Sequence, residues 1–336
     1  MGIWSRYDAD QQLDDLTRVH HAGGLDADEV FDFGDYVRSS GRVDGRDAHI
    51  GSVGGGNHFV EIQTVDELLD GATAHAWGLR QEQVVIMIHT GSLGFGQRVG
   101  AHFERVARDL YPAELPHPEH GLWPLPLTGP HAALGVSYWD AMKNAANFAY
   151  GNRLMLGLMA TRALSESLGR EVRGRLLHDV PHNLVWRRPD GLVVHRKGAC
   201  PAPGAVPDLE GPFRYTGPPV IVPGSMGASS FLLAGLGLED ALSSASHGAG
   251  RMISRGRARR VDQAAFEQEV SRLHVVGPID PADILGRPEL VAKLTARLME
   301  EAPGVYKPVS PIIDTLTAAG IARPVARVSP WLTVKG

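Results

Sequence analysis

The chain has 336 residues, 43% of them hydrophobic and 21% charged, which excludes fibrous and disordered classes and allows one large or two ordinary domains with a sizeable core. Its 33 basic and 38 acidic side chains leave a net charge of −5, so bulk charge cannot bind nucleic acid; a polyanion must be held at a local basic patch or by metal. The single cysteine, Cys200, excludes a disulfide framework and every thiolate-rich zinc site.

Residues 1–48 are acidic and mixed, with a helix predicted around Asp8 to Val19 and glycine-punctuated turns after it. The first residues show no basic stretch leading into an apolar run, so no signal peptide is expected, and Arg6 excludes a myristoylation signal. Alternation over His58–Gln63 predicts a strand, and the β-branched run Val84–His89 predicts a strand buried on both faces. No apolar stretch approaches the length of a bilayer span, so the expected location is the cytoplasm, with no membrane partner. The proline-rich stretch from Pro112 to Pro130 predicts a long surface loop.

Alanine, methionine and leucine recur at three- and four-residue spacing from Tyr138 to Leu168, predicting a helix. A short strand is expected at Gly191–Lys197, then a second proline-rich loop over Pro201–Pro219 leading into a strand at Val220–Val222. Arg257–Leu273 reads as a surface helix, Pro281–Glu301 as a helix with a break at Pro288, and Val325–Val334 as a strand. The sum is an α+β chain without a βαβ rhythm.

Two glycine-rich segments flank histidines: Gly51-Ser-Val-Gly-Gly-Gly-Asn-His58 and His89-Thr-Gly-Ser-Leu-Gly-Phe-Gly96. Glycine lets backbone approach a ligand closely, and successive N–H groups can form an anion nest, so a histidine where such a loop meets a strand points to metal beside phosphate. Either segment alone equally fits tight turns with hydrogen-bonded histidines. His182-Asn183 repeats the pattern of imidazole beside amide; imidazoles suit Mn, Fe, Co, Ni or Zn and do not fix the metal. Pro223-Gly-Ser-Met-Gly-Ala-Ser-Ser230 follows a strand and is expected to open a helix whose N-terminus grips an anion. Ser246-His247-Gly-Ala-Gly-Arg251 places a nucleophilic imidazole in a glycine-rich turn with a guanidinium four residues on, or else a capped helix start with an incidental histidine. His195-Arg-Lys-Gly198 and Val334-Lys335-Gly336 add basic groups that read as solvated surface charge.

Together these segments resemble the RtcB-type RNA-splicing ligases. The matching stretches are Gly-Gly-Gly-Asn-His-Phe-Val-Glu (54–61), His-Thr-Gly-Ser (89–92), Pro-His-Asn (181–183) and His-Arg-Lys-Gly-Ala (195–199). They continue, in order, with Pro-Gly-Ser-Met-Gly-Ala-Ser (223–229), Ser-His-Gly-Ala-Gly-Arg (246–251), Glu-Glu-Ala-Pro-Gly-Val-Tyr-Lys (300–307) and the Val-Lys-Gly of 334–336.

The resemblance implies the family's own α+β fold, with mixed sheets and surrounding helices, as a catalytic domain over 49–336 behind a divergent segment, 1–48. It implies a ligase joining RNA 3′-phosphate or 2′,3′-cyclic phosphate ends to 5′-hydroxyl ends, using GTP and a pair of Mn²⁺ ions. His58, His89 and His182 would be metal ligands, and His247 would attack GTP and carry GMP. Asn57, Asn183 and Arg251 would contact phosphates. Phe59 and Tyr306 would pack on guanine, and Glu61 and Lys335 would hydrogen-bond it. Ser225, Met226, Gly227, Gly248, Ala249 and Gly250 would line the nucleotide.

The chain departs from the family twice. It lacks the Asp-x-x-Cys motif that supplies a carboxylate and a bridging thiolate, and Leu93 stands where well-studied members have arginine. The expectation is a chain without the family's N-terminal segment, whose missing ligands would come from a partner polypeptide or be lost by truncation of this chain. The alternative is a non-catalytic remnant that binds guanine nucleotide or RNA ends. A metal-dependent phosphatase or nuclease is a weaker reading, because it leaves 246–251 and 334–336 without a purpose.

Overall fold

The computed structural model describes residues 9–27, 49–205, 207, 211, 213–259, 263–279, 281–284 and 286–336. The chain separates into two compact units, one of Met1–Ala22, Val53–His89 and Ala160–Gly336, the other of Gly23–Ser52 and Thr90–Met159.

The first unit carries the strands: β1 (Phe59–Leu68), β2 (Val84–His89), β3 (Asn183–Arg187), β4 (Val193–Lys197), β5 (Ala199–Pro201), β6 (Pro219–Val222), β7 (Ser230–Gly235), β8 (Ser244–Ser246), β9 (His274–Val276) and β10 (Ala322–Val334). Six form one sheet in the order β2-β1-β10-β7-β6, with β9 pairing parallel to the end of β10 and every other pair antiparallel. The rest make two antiparallel ribbons, β3–β4 and β5–β8.

The middle of the sheet is buried on both faces. Along β7, Leu232 and Ala234 turn towards Trp77, Phe213 and Val328, while Leu233 between them turns towards Val220, Ile313 and Leu316. Each fully buried aliphatic side chain here contributes about 1.5–3 kcal/mol, so the faces around β7 and β10 anchor the unit. Helix Gly71–Trp77 covers the first face and helix Ser310–Ala318 the second. Asp70 starts the shorter helix by accepting the Thr73 N–H, and Gly78 ends it in the left-handed region at φ 76°. A third cluster joins Met226, Ala258, Phe266, Met299 and Val305.

Helix Ala9–Leu16 leads into a strap that binds the segment before His182. Val19 bridges Asp179, the Asp179 carbonyl accepts the His20 N–H at 2.9 Å, and Asp15 Oδ1 accepts the Leu176 N–H at 3.1 Å. His178 Nδ1 lies 2.6 Å from the Arg18 carbonyl, and the His21 ring stacks on Trp186 at 4.7 Å.

In the second unit, Phe95, Val99 and Phe103 recur every four residues on helix Leu93–Asp109 and pack on Ala141 and Ala145 of helix Ala133–Leu168. The fully buried Asn152 holds this unit's loops: its Oδ1 accepts the Gly51 and Ser52 N–H groups, and its Nδ2 donates to the Ser52 and Gly91 carbonyls. Residues 112–130 form the expected loop, with two short 3-10 turns at Glu119–Gly121 and Gly129–His131. Among the described residues, no helix is long and apolar enough to cross a membrane.

The α+β class is the observed one, and four local expectations are corrected. β2 is not buried on both faces: it pairs only with β1 at the sheet edge, leaving Val84 53% exposed. Ser230–Gly235 is the strand β7 rather than a helix, because it is paired on both sides by β6 and β10; residues 223–229 are therefore a hairpin loop. Arg257–Leu273 holds pieces of two helices, Arg255–Ala258 and Gln263–Glu269, with 260–262 outside the described residues. Pro288 starts helix Pro288–Met299 instead of breaking one, its fixed φ and missing N–H suiting the first turn. Residues 1–8 and 28–48 of the N-terminal segment, and 206, 208–210 and 212 of the second proline-rich loop, also lie outside the described residues.

Candidate active site

Strand register assembles the site. His58 directly precedes β1 and His89 ends β2, with Phe59 opposite His89, so one hairpin brings two imidazoles to the same corner, ring centroids 5.9 Å apart. His182 directly precedes β3, and the ribbon returns through β4 to Gly198, whose N–H is accepted by Asn183 Oδ1 at 2.9 Å. β5 then pairs with β8, Ala199 opposite Ser246, which delivers the next residue, His247, to the same place. The Gly198 carbonyl lies 3.1 Å from the His247 backbone nitrogen and 3.2 Å from its Nδ1. Gly198 itself sits at φ 66°, where a side chain would be strained.

Two three- to five-residue ladders thus stack the rings of His182 and His247, centroids 3.8 Å apart at 22°. His89 stands edge-on to both, at 5.0 and 5.7 Å. One nitrogen each from His89, His182 and His247 lies within 4.8 Å of the others; among the described residues no carboxylate or thiolate joins the group. The sequence expectation was His58, His89 and His182; the geometry brings His247 close to His89 and His182, while His58 stands 5.9 Å from His89.

Burial favours the neutral form of His58, His89 and His247. Burial pushes His89 well below the usual histidine range, and the neighbouring rings of His182, His247 and His58 push the same way. Burial also lowers His58, with Lys335 adding to it, and lowers His247, against which the Gly198 carbonyl acts. A carbonyl only accepts, so Nδ1 of His247 carries the hydrogen and Nε2 keeps its lone pair. His89 and His182 converge beside His247, with His58 5.9 Å from His89, and imidazoles so gathered suit an Mn²⁺, Fe, Co, Ni or Zn ion. Cys200 takes no part: burial raises its thiol to about 12, and it lies 3.8 Å from the Ala245 carbonyl.

The residues expected to hold the nucleotide lie on several separate loops and strands. The 223–229 loop is pinched so tightly that a side chain on Gly224 would come within 2.5 Å of the Ser229 carbonyl. Its Ser225 is half-buried, Met226 is buried in the third cluster, and Gly227 sits at φ 83°. Gly248 lies beside Pro223, and Ser246 Oγ donates to the Gly248 carbonyl at 3.0 Å. Ala249 is half-buried, and the Gly250 carbonyl accepts the Lys307 N–H at 3.1 Å. Lys335 is buried and donates from Nζ to the Gly56 carbonyl at 2.9 Å, next to the exposed Asn57.

Three of these residues are turned inwards. Phe59 is a core residue packed edge-on to His89. Glu61 is buried in β1 and accepts from Gln63 Nε2 at 2.7 Å, and burial pushes its carboxyl up to about 7. Arg251 donates to the Glu300 carbonyl at 2.6 Å, to Tyr306 Oη at 3.0 Å and to Glu301 Oε1 at 3.3 Å, while Tyr306 donates to Glu301 Oε2. Sequence reasoning missed Lys197, which lowers His247 electrostatically, and the role of Glu301 in holding Arg251 and Tyr306. Both lie in stretches matched to the family, which was the available signal.

Residues 4–336 match the family profile described as tRNA-splicing ligase RtcB. Among curated proteins, the tRNA-splicing ligase RtcB of Pyrococcus horikoshii is 36% identical over 342 residues, covering 96% of this chain and 36% of the relative. That of Thermococcus kodakarensis is 35% identical over 332 residues, covering 90% and 65%. The RNA-splicing ligase RtcB of Mycobacterium bovis is 35% identical over 335 residues, covering 96% and 72%. The chain therefore spans about a third to two thirds of the first two relatives. A match along nearly the whole chain, with the motif histidines gathered at one corner of the sheet, places the chain in the RtcB family.

Proposed function

We propose that the chain is an RNA ligase, working in the cytoplasm, that joins 3′-phosphate or 2′,3′-cyclic phosphate ends to 5′-hydroxyl ends with GTP and Mn²⁺. The observation that carries this reading is the stacked pair His182–His247 beside His89, with the Gly198 carbonyl 3.2 Å from His247 Nδ1, which leaves Nε2 as the lone-pair nitrogen. A phosphate monoester is a poor electrophile, because its charges repel a nucleophile and it lacks a good leaving group. His247 Nε2 would attack the α-phosphorus of GTP, forming a P–N bond as pyrophosphate leaves. The RNA 3′-phosphate oxygen would then take the GMP from His247, breaking that bond. The 5′-hydroxyl would attack the activated 3′-phosphorus, losing its proton and releasing GMP. Cyclic ends would first be hydrolysed to the 3′-phosphate.

His89 and His182, together with His58, would hold metal, which when bound neutralises phosphate charge and aligns the displacement. Asn57, Asn183 and Arg251 would serve the phosphates, and Glu61, Phe59, Tyr306 and Lys335 the guanine. The loops at 225–227 and 248–250 would close over the nucleotide.

The test is incubation with Mn²⁺ and GTP labelled at the α-phosphate. Label in an acid-labile, alkali-stable adduct, abolished by His247→Ala, is the expected result. No adduct at any Mn²⁺ concentration overturns the reading and favours a non-catalytic chain that binds guanine nucleotide or RNA ends.

A further inference from the structure

The β3–β4 ribbon begins at the site and runs away from it with two chemically different faces. Leu184 and Val194 are buried on the inner face. Trp186, also there, meets the rings of His20 and His21, and Arg196 donates to Ser244 Oγ at 2.8 Å and to the Leu242 carbonyl at 3.1 Å. The outer face is made of the alternate residues, paired as Asn183 with Lys197, Val185 with His195, and Arg187 with Val193. All but the half-buried Val185 are exposed, and the face contains no carboxylate. The one acidic side chain of the ribbon, Asp190, lies in its turn, paired to Arg188 at 2.9 Å.

In a chain of net charge −5 this is a local basic strip. Each rung offers a hydrogen-bond donor: Lys197 nearest His247, then His195, then Arg187. Rungs two residues apart are separated by about 6.6 Å, a step comparable to that between successive phosphates of an extended single strand. The first rung is fixed to the site on two sides: Lys197 acts electrostatically on His247, and Asn183 follows His182 and accepts from Gly198.

We propose that this outer face seats the RNA strand that ends in the 3′-phosphate, its last phosphates lying on Lys197, His195 and Arg187 in that order away from His247. The inference rests on the ligase reading above. It selects this strand over the 5′-hydroxyl strand because the 3′-phosphate must meet His247 to take up GMP, and the strip starts beside that residue.

The experiment compares wild type with the double variant Arg187→Glu, His195→Glu, by fluorescence anisotropy over a salt series. The probes are a dinucleotide and an octanucleotide ending in 3′-phosphate, and an octanucleotide with 5′- and 3′-hydroxyl ends. The variant should bind the 3′-phosphate octamer at least tenfold more weakly, with the slope of log K against log salt shallower by about 1. The dinucleotide, which reaches only the first rung, should bind both proteins alike. The thermal midpoint should stay within about 2 °C, since both side chains stand in solvent; Arg187→Gln should give a smaller loss without charge reversal.

Equal octamer affinity in both proteins overturns the proposal, as does a loss confined to the 5′-hydroxyl octamer. Labelling of wild-type His247 by GTP separates the two readings. Label with no effect of the variant removes the RNA face and leaves the ligase, while no label with loss of octamer binding does the reverse.

Discussion

Glu61 shows what one residue's surroundings demand of the whole chain. Buried in β1, its carboxyl is pushed from 4.5 to about 7 by desolvation, against which Gln63, Thr333 and Lys335 act. Between those values the unfolded chain releases a proton that the folded chain keeps, so stability falls as pH rises from 4.5 to 7, and the cost stays in full above 7. A difference of roughly 2.5 pKa units corresponds to about 3 kcal/mol. Glu61→Gln, which keeps the shape and cannot ionise, should therefore be more stable than wild type by up to about 3 kcal/mol at pH 8 and equal to it at pH 4. Urea unfolding at the two pH values checks this; a difference of the same size at both would mean that ionisation of Glu61 is not the cause. If Glu61 also serves guanine, the stabler variant should bind GTP more weakly, a trade of stability for function.

At the scale of elements, the strap of residues 18–20 on 178–179 is sensitive to acid. His178 donates its Nδ1 hydrogen to the Arg18 carbonyl, and burial lowers it to about 4; burial, with His21, His178 and Arg196 nearby, lowers His20 to about 3. Both rings are neutral when folded and charge near 6.5 when unfolded, so their support is complete above about 6.5 and is lost progressively as pH falls towards 4. The hydrogen-exchange protection of the His20 and Asp179 amides should drop at least tenfold between pH 7 and pH 5, after correction for intrinsic rates, and His178→Gln should blunt that drop. Unchanged protection would show that the strap is held without these rings. The same scale explains what was legible. The alternation over 58–63 and the helical spacing of 138–168 were clear because they show a period, and 325–334 was legible from its β-like composition. The short, mostly apolar β7 fits a helix or a strand equally, and only pairing with β6 and β10 decides. The histidines stood out beside their glycines, but the stacking of His182 on His247 depends on β5 and β8, each three residues long and below the reach of any pattern. Arg251 was legible as a cation, but not that it turns towards Glu301, fifty residues away in sequence.

At the scale of the molecule, the imidazoles proposed to hold metal come from points as far apart as residues 58, 89 and 182 and meet only in the folded chain. A metal ion that binds only the folded chain must stabilise it, by about 2.7 kcal/mol at a hundred times Kd. Mn²⁺ should raise the thermal midpoint by several degrees, chelator should reverse the rise, and His89→Ala should abolish it. A midpoint that ignores millimolar Mn²⁺ would rule out the group as a metal site. The sheet has a further consequence, for biosynthesis. Its middle strand, β10, is translated after all the strands it joins, so the hairpins β1–β2 and β6–β7 leave the ribosome with bare backbone edges and wait for residues 322–334 to zip them together. Until then the nascent chain offers two open templates to other chains, and the yield of active protein will turn on how fast that last insertion outruns edge-to-edge association.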